Sequence, residues 1–166
     1  MQQKEITTQE DLFTVLDLIE AAGIPYWLDG GWGVDALCGR QTRPHRDIDI
    51  DFDATYTQQL LDLLTAHGYK ITTDWRPVRI ELYHPRLSYI DIHPFQVMPD
   101  GTASQADPTG GRYQFPADYF TTVTYAGRTI PAISIKGQEA FHTGYDLRET
   151  DKQDLQNLKS LSPNSN

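Results

Sequence analysis

The sequence predicts an α+β (mixed) fold, a central sheet with helices at both ends of the chain. Three observations lead there. Leu12, Phe13, Val15, Leu16, Leu18 and Ile19 recur at helical spacing near the amino terminus. The run Arg46-Asp47-Ile48-Asp49-Ile50-Asp51-Phe52 alternates acidic and apolar side chains with the period of a strand. Several further short strand-like segments follow before two helical segments close the chain.

Taken in order, Thr7 or Thr8 can cap the first helix, and Gly23 and Pro25 end it. Residues 25–29 read as a strand, 32–38 as a short helix opening straight after Gly30-Gly31, and 46–52 as the aspartate strand. A second amphipathic helix covers Tyr56 to Ala66, stopped by Gly68. Strand-like segments follow near 69–73, 78–83 and 88–93. Met98 to Gly111 is rich in Gly, Pro, Asp and Thr and predicts a long loop lying over a site. Segments 121–125 and 128–130 predict a hairpin through Ala126-Gly127, and helices are expected near 135–144 and 150–160. Ser162 to Asn166 is expected to fray. The whole of 1–166 is expected to be one domain, with a helical C-terminal portion over about 133–162.

Composition narrows the function. Apolar residues make up 39% and charged residues 22%, ordinary globular usage that argues against wholesale disorder. A formal net charge of −9 argues against binding nucleic acid or anionic lipid and suits a cationic small substrate or divalent metals. One cysteine, Cys38, excludes an intrachain disulfide and is expected in the apolar core. No apolar run approaches the roughly 18 residues needed to span a bilayer, so a cytoplasmic protein away from membranes is expected.

Asp47, Asp49 and Asp51 share one strand face, and Ile48, Ile50 and Phe52 share the other. Carboxylates two residues apart have backbones about 6.6 Å apart, and their ends can converge on hard cations that coordinate oxygen. Asp91, set between isoleucines in Tyr89-Ile90-Asp91-Ile92-His93, can add a third carboxylate from a neighbouring strand. Two magnesium ions held this way can bridge the phosphates of a nucleotide and align an attacking hydroxyl. Gly30-Gly31 offers bare backbone and N–H groups at a helix start, which suits a phosphate. Solvated acids on an exposed edge strand are the plainer alternative, and Asp51 is expected to be solvated rather than on metal.

Two other motifs fail. A calcium loop opening at Asp47 wants glycine sixth and glutamate twelfth, where Phe52 and Gln58 stand. Gly31-x-Gly33-x-x-Ala36 with Asp51 twenty residues on mimics a dinucleotide fingerprint, but Gly39 and Pro44 leave room for only a short helix. The second strand of that fold is also buried on both faces, where three ionised aspartates would be costly.

With Gly30-Gly31 and Asp47-x-Asp49 in place, the chain resembles the DNA polymerase β-like nucleotidyltransferases. The runs Trp27 to Asp35, His45 to Asp53, Tyr89 to Pro94 and Phe141 to Leu147 resemble the short, LinA-like lincosamide nucleotidyltransferases over nearly the whole chain. The resemblance implies a nucleotidyltransferase fold and Mg-dependent transfer of AMP from ATP, or of another NTP's nucleotide, to a hydroxyl of lincomycin or clindamycin, releasing pyrophosphate. It implies that Asp47, Asp49 and Asp91 hold two magnesium ions, that Asp91 is the candidate general base, and that Gly30 and Gly31 hold the nucleotide. The same chemistry on an aminoglycoside or a protein hydroxyl, and a non-catalytic nucleotide-binding module, stay open. A homodimer that completes the acceptor site is compatible with so small a domain.

Arg40, Arg43 and Arg46 cluster before the aspartate strand and can hold a triphosphate or merely balance charge. Lys152, near the start of the last helix, resembles the basic residue by which some relatives grip phosphates. His93, on the Asp91 face, can orient acceptor or carboxylate or be structural, and His45 is equally open. Of Trp32, Trp75, Tyr83, Tyr89, Phe95 and Tyr113, two or three are expected at the acceptor and the rest in the core.

Overall fold

The computed structural model of the chain describes residues 3–143 and 145–161. The tail from Ser162 to Asn166, expected to fray, lies outside the described residues. Helix α1 (Gln9–Ala21) opens on Thr8, whose hydroxyl accepts the Asp11 N–H while the Asp11 carboxylate accepts the Thr8 N–H. Strand β1 (Tyr26–Asp29) leads straight into α2 (Gly30–Cys38). Strand β2 (Asp47–Asp53) and a single 3₁₀ turn precede α3 (Thr57–Ala66). Strands β3 (Lys70–Trp75), β4 (Arg79–His84) and β5 (Ser88–Val97) follow, then β6 (Ala103–Ala106) and β7 (Arg112–Phe115). The hairpin of β8 (Phe120–Tyr125) and β9 (Arg128–Ile133) precedes α4 (Ile135–Phe141) and α5 (Glu149–Leu161).

The sheet is mixed, in the order β3-β4-β5-β2-β1-β9-β8, with β6 and β7 attached at the far end of β5. Strand β2 is antiparallel to β1 and parallel to β5, because a crossover through α3, β3 and β4 separates β2 from β5. The apolar half of each alternation sinks into one core. Ile48, Ile50 and Phe52 have no exposed surface, and neither do Ile80, Leu82, Ile90 and Ile92 of the neighbouring strands. They pack with Leu12, Leu16 and Ile19 of α1, Leu60 and Leu64 of α3, and Trp32 of α2. Each such side chain contributes about 1.5–3 kcal/mol through burial. A smaller cluster of Phe95, Ala103 and Phe115, with Phe120 and Phe141 against it, covers another part of the sheet. Among the described residues no helix is long and apolar enough to cross a membrane.

The expected loop from Met98 to Gly111 is instead interrupted by β6, which pairs with Gln96 and Val97 of β5 and then with β7. Asp100 and Asp107 each accept the N–H of the threonine two residues on, so the turn-forming residues close tight turns at the ends of β6. Helix α2 begins at Gly30 rather than at 32, which places both glycines in its first turn. Cys38 is half-buried rather than a core residue.

Candidate active site

The register of four strands lays a row of acids across the sheet. Asp29 of β1 stands opposite Asp49 of β2, Asp49 opposite Asp91 of β5, and Asp91 opposite Glu81 of β4. Like charges facing each other across strands destabilise a sheet, so so many acids in one row require a compensating cation or a proton. Oxygen atoms of Asp49 and Asp91 and a nitrogen of His93 lie within 4.8 Å of one another. Asp91 Oδ1 is buried with no protein hydrogen-bond partner among the described residues. Asp47 lies one pleat away on the same strand face, 3.6 Å from Arg46.

The Gly-Gly turn is shaped by this row. Asp29 caps α2 by accepting the Gly30 N–H at 2.7 Å. Gly30 has a φ of +63°, a left-handed conformation, and a Cβ there would collide with the Asp49 carboxylate. A Cβ on Gly31 would collide with His45 Nδ1 and the Arg43 guanidinium. The two glycines therefore let a metal-ligand candidate, an imidazole and a guanidinium close on one stretch of bare backbone.

Burial, together with the charges of Asp49 and Asp91, pushes the Asp47 carboxyl up to about 7, against the pull of Arg46. Burial raises Asp91 too; Asp49 adds to the rise, while His93 and Arg79 oppose it. For His93 burial disfavours the cation, but Asp49, Asp91 and Asp29 outweigh it and raise its pKa to about 9. Asp51 is a correction: expected in solvent, it is 1% exposed, and neither of its oxygens has a protein hydrogen-bond partner among the described residues. Burial, and then the charge of Asp29, lifts its pKa well above the carboxylate range. Alternation put Asp51 on the acidic face, but the depth of cover there depends on neighbouring strands.

A cavity of about 530 Å³ opens over the glycines, bordered by Asp47, Asp49, His93, Arg43, Arg46 and Arg148. Asp91 does not line it; its side chain, 13% exposed, lies across the strand pairing from Asp49, which does. Arg43 is gripped through two donors by Asp154 of α5, and Arg148 likewise by Asp151. Arg46 lies 3.7 Å from the Tyr89 ring centroid and pairs with Glu81 at 3.2 Å. Two expected basic residues are elsewhere. Arg40 is exposed and does not border the cavity, and Lys152 is exposed and paired with Glu149 at 3.2 Å. In α5 the buried residues Asp151, Asp154 and Leu158 define the inner face, which leaves Lys152 outside it. His45 is buried, with Nε2 on Asp35 at 2.5 Å and its ring 4.7 Å from that of Trp32.

A second cavity, of about 470 Å³, is lined by Tyr113, Phe115, Phe141 and Tyr145, and shares the last two with the first. Of the six aromatics proposed for an acceptor, Tyr113 lines this space. Trp32, Tyr89 and Phe95 are buried, Trp75 is exposed on another groove, and the Tyr83 hydroxyl accepts the Lys4 N–H. Sequence reasoning missed Asp29, Arg79, Arg148, Phe141 and Tyr145. Asp29 adjoins the glycines and Arg148 precedes the last helix, but the position of Arg79 depends on strand register.

The mixed sheet, the acidic row and the glycine turn together define a nucleotidyltransferase. A family model described as Aminoglycoside-2''-adenylyltransferase matches residues 11–158, and the chain belongs to that family. It is 52% identical over 155 residues to a lincosamide resistance protein of Staphylococcus haemolyticus, covering 93% of this chain and 96% of that one. Its structure is similar to the crystal structure of the lincosamide antibiotic adenylyltransferase LnuA with lincomycin bound, with a TM-score of 0.89 and 52% identity over 95% of this chain and 99% of that one. The crystal structure of ANT(2")-Ia with adenylyl-2"-tobramycin shares the fold, with a TM-score of 0.68 and 16% identity over 92% and 89% of the two chains.

Proposed function

We propose that this chain, acting as one domain in the cytoplasm, transfers AMP from ATP to a hydroxyl of a lincosamide such as lincomycin or clindamycin, releasing pyrophosphate. The observation that carries the reading is the parallel pairing of β2 with β5, which sets Asp49 beside Asp91 next to the Gly30–Gly31 turn. Identity of 52% over 93% of the chain to a lincosamide resistance protein supports the acceptor class.

The donor set suits magnesium: it is oxygen-rich, the acids Asp29, Asp47, Asp49, Glu81 and Asp91 outnumber the Arg46, Arg79 and His93 groups beside them, and one buried carboxylate oxygen has no protein partner among the described residues. Asp47, Asp49 and Asp91 would hold two ions. When bound, they would neutralise charge on the phosphates and make the acceptor hydroxyl more acidic. The backbone of Gly30 and Gly31 receives a phosphate at the start of α2. Arg43, Arg46 and Arg148 border the same cavity, their guanidinium planes held by Asp154, Glu81 and Asp151, and bring positive charge and their remaining N–H donors to phosphate oxygens. Asp91 accepts the proton of the acceptor hydroxyl as that oxygen attacks the α-phosphorus. The bond from the α-phosphorus to the bridging oxygen breaks, and pyrophosphate leaves with the electron pair. The drug occupies the aromatic cavity of Tyr113, Phe115, Phe141 and Tyr145, the last two of which also line the nucleotide cavity.

The family's aminoglycoside description favours a second acceptor class, and one assay separates the two. Clindamycin, lincomycin and kanamycin are each incubated with protein, ATP and magnesium and analysed by mass spectrometry. The proposal expects the adenylyl mass increment on the two lincosamides. An increment on kanamycin alone assigns the aminoglycoside reading, and no increment with no pyrophosphate leaves a binding module.

A further inference from the structure

The two oxygens of Asp91 have different surroundings. Oδ1 lies 3.9 Å from His93 Nε2, on the side of the Asp49–His93 cluster, and has no protein hydrogen-bond partner among the described residues. Oδ2 accepts a hydrogen bond from Arg79 Nη1 at 2.9 Å. Arg79 sits on β4 two residues before Glu81, the cross-strand partner of Asp91, and so reaches the carboxylate diagonally. Its own partner across β3 is Trp75, and the guanidinium lies 4.6 Å from the centroid of that indole. Trp75 is 61% exposed, an unusual setting for an indole whose burial would otherwise stabilise the fold.

We propose that Trp75 and Arg79 form a clamp that orients Asp91, holding Oδ2 so that Oδ1 points at the Asp49–His93 cluster. The inference rests on the reading of Asp91 as an active-site carboxylate. A carboxylate is free to rotate about its terminal bond, and this rotation is broad and nearly two-fold. A donor fixed on one oxygen removes that freedom and commits the other oxygen to the site. Arginine suits the task because its planar fork is rigid and stacks flat on an aromatic face, so little freedom remains to be lost. With side chains only 25% and 13% exposed, the pair offsets much of its attraction by the desolvation of both charges, which leaves geometry as its main effect. Arg79 is thus a positioning residue: it acts on the reaction through Asp91, away from the glycine turn and the nucleotide cavity.

The test compares wild type with Arg79→Met, Arg79→Lys and Trp75→Leu. Arg79→Met keeps the length of the side chain and removes the fork, and is expected to lower kcat about 100-fold with KM for ATP within about twofold of wild type. Arg79→Lys recovers about tenfold of that loss, since it restores charge but not the planar fork. Trp75→Leu lowers kcat about fivefold with an unchanged Tm, because the indole is mostly exposed. A second readout needs no turnover: crystal structures of metal-free wild type and Arg79→Met show whether Oδ1 leaves the Asp49–His93 cluster. A kcat for Arg79→Met within about twofold of wild type, or a drop shared equally by kcat and Tm, overturns the clamp. So does an unmoved Asp91 in the variant crystal. If wild type itself transfers no AMP, the functional reading has failed, and the orientation of Asp91 in the two crystals still decides the clamp.

Discussion

Replacing Gly30 by alanine separates backbone strain from damage to the site. Gly30 has a φ of +63°, and an alanine there costs about 1–2 kcal/mol for the left-handed conformation alone. Its Cβ would also overlap the Asp49 carboxylate, so that side chain must move by about 1 Å or more, which costs a further 1–3 kcal/mol or so. Asp49 is one of the three groups around the proposed metal position, and a displacement of about 1 Å there is expected to cost about 100-fold in kcat. Gly39 supplies the control. Its φ is +77°, yet a Cβ there meets nothing within 4 Å. Gly39→Ala therefore takes the same kind of strain and leaves the site alone. Thermal unfolding of both variants should show losses of about 3–8 °C for Gly39→Ala and more for Gly30→Ala. Steady-state adenylyl transfer should fall about 100-fold or more for Gly30→Ala and stay within about twofold for Gly39→Ala. Equal activity in the two variants would refute the link between the glycine and Asp49.

Asp47→Asn and Asp91→Asn are each expected to reduce AMP transfer by about 10³-fold or more while leaving the fold intact, read by pyrophosphate release and circular dichroism. Because Asp47 is raised to about 7 in the folded protein, metal-free wild type holds a proton that the unfolded chain has released above about pH 4. Stability in EDTA should then fall as pH rises through 7, and more shallowly in Asp47→Asn. His93, raised from 6.5 to about 9, acts in the same direction, its contribution fading as pH climbs between those two values. Scanning fluorimetry from pH 5 to about 9 reads this slope, and a flat or rising profile for wild type contradicts it. Arg43→Ala and Arg148→Ala are each expected to raise KM for ATP about tenfold, and Lys152→Ala to leave it unchanged, since Lys152 lies outside the cavity.

The acidic strand was legible because a period of two admits only one structural reading. Ile48, Ile50 and Phe52 proved fully buried while Asp47 and Asp49 face the cavity. Gly30-Gly31 was legible as well, though its reason was not: the collision with Asp49, His45 and Arg43 exists only once β2 lies beside β1. What stayed hidden depends on pairing across strands. Nothing in the sequence sets Arg79 against Asp91, or buries Asp51 with no partner among the described residues, until β1, β2, β4 and β5 are in register. The stretch around β6 misled because Asp100 and Asp107 carry turn chemistry that reads equally as loop or as strand end. Lys152 misled because one residue along a helix turns a side chain by about 100°, enough to move it off the face of Asp151 and Asp154.

The central claim is tested most directly by a crystal structure of wild type with magnesium, a nonhydrolysable ATP analogue and clindamycin. The account predicts ions on Asp47, Asp49 and Asp91, phosphates over Gly30-Gly31, and a drug hydroxyl within hydrogen-bond reach of Asp91. A nucleotide seated away from the glycine turn, or ions that leave Asp91 free, would contradict it.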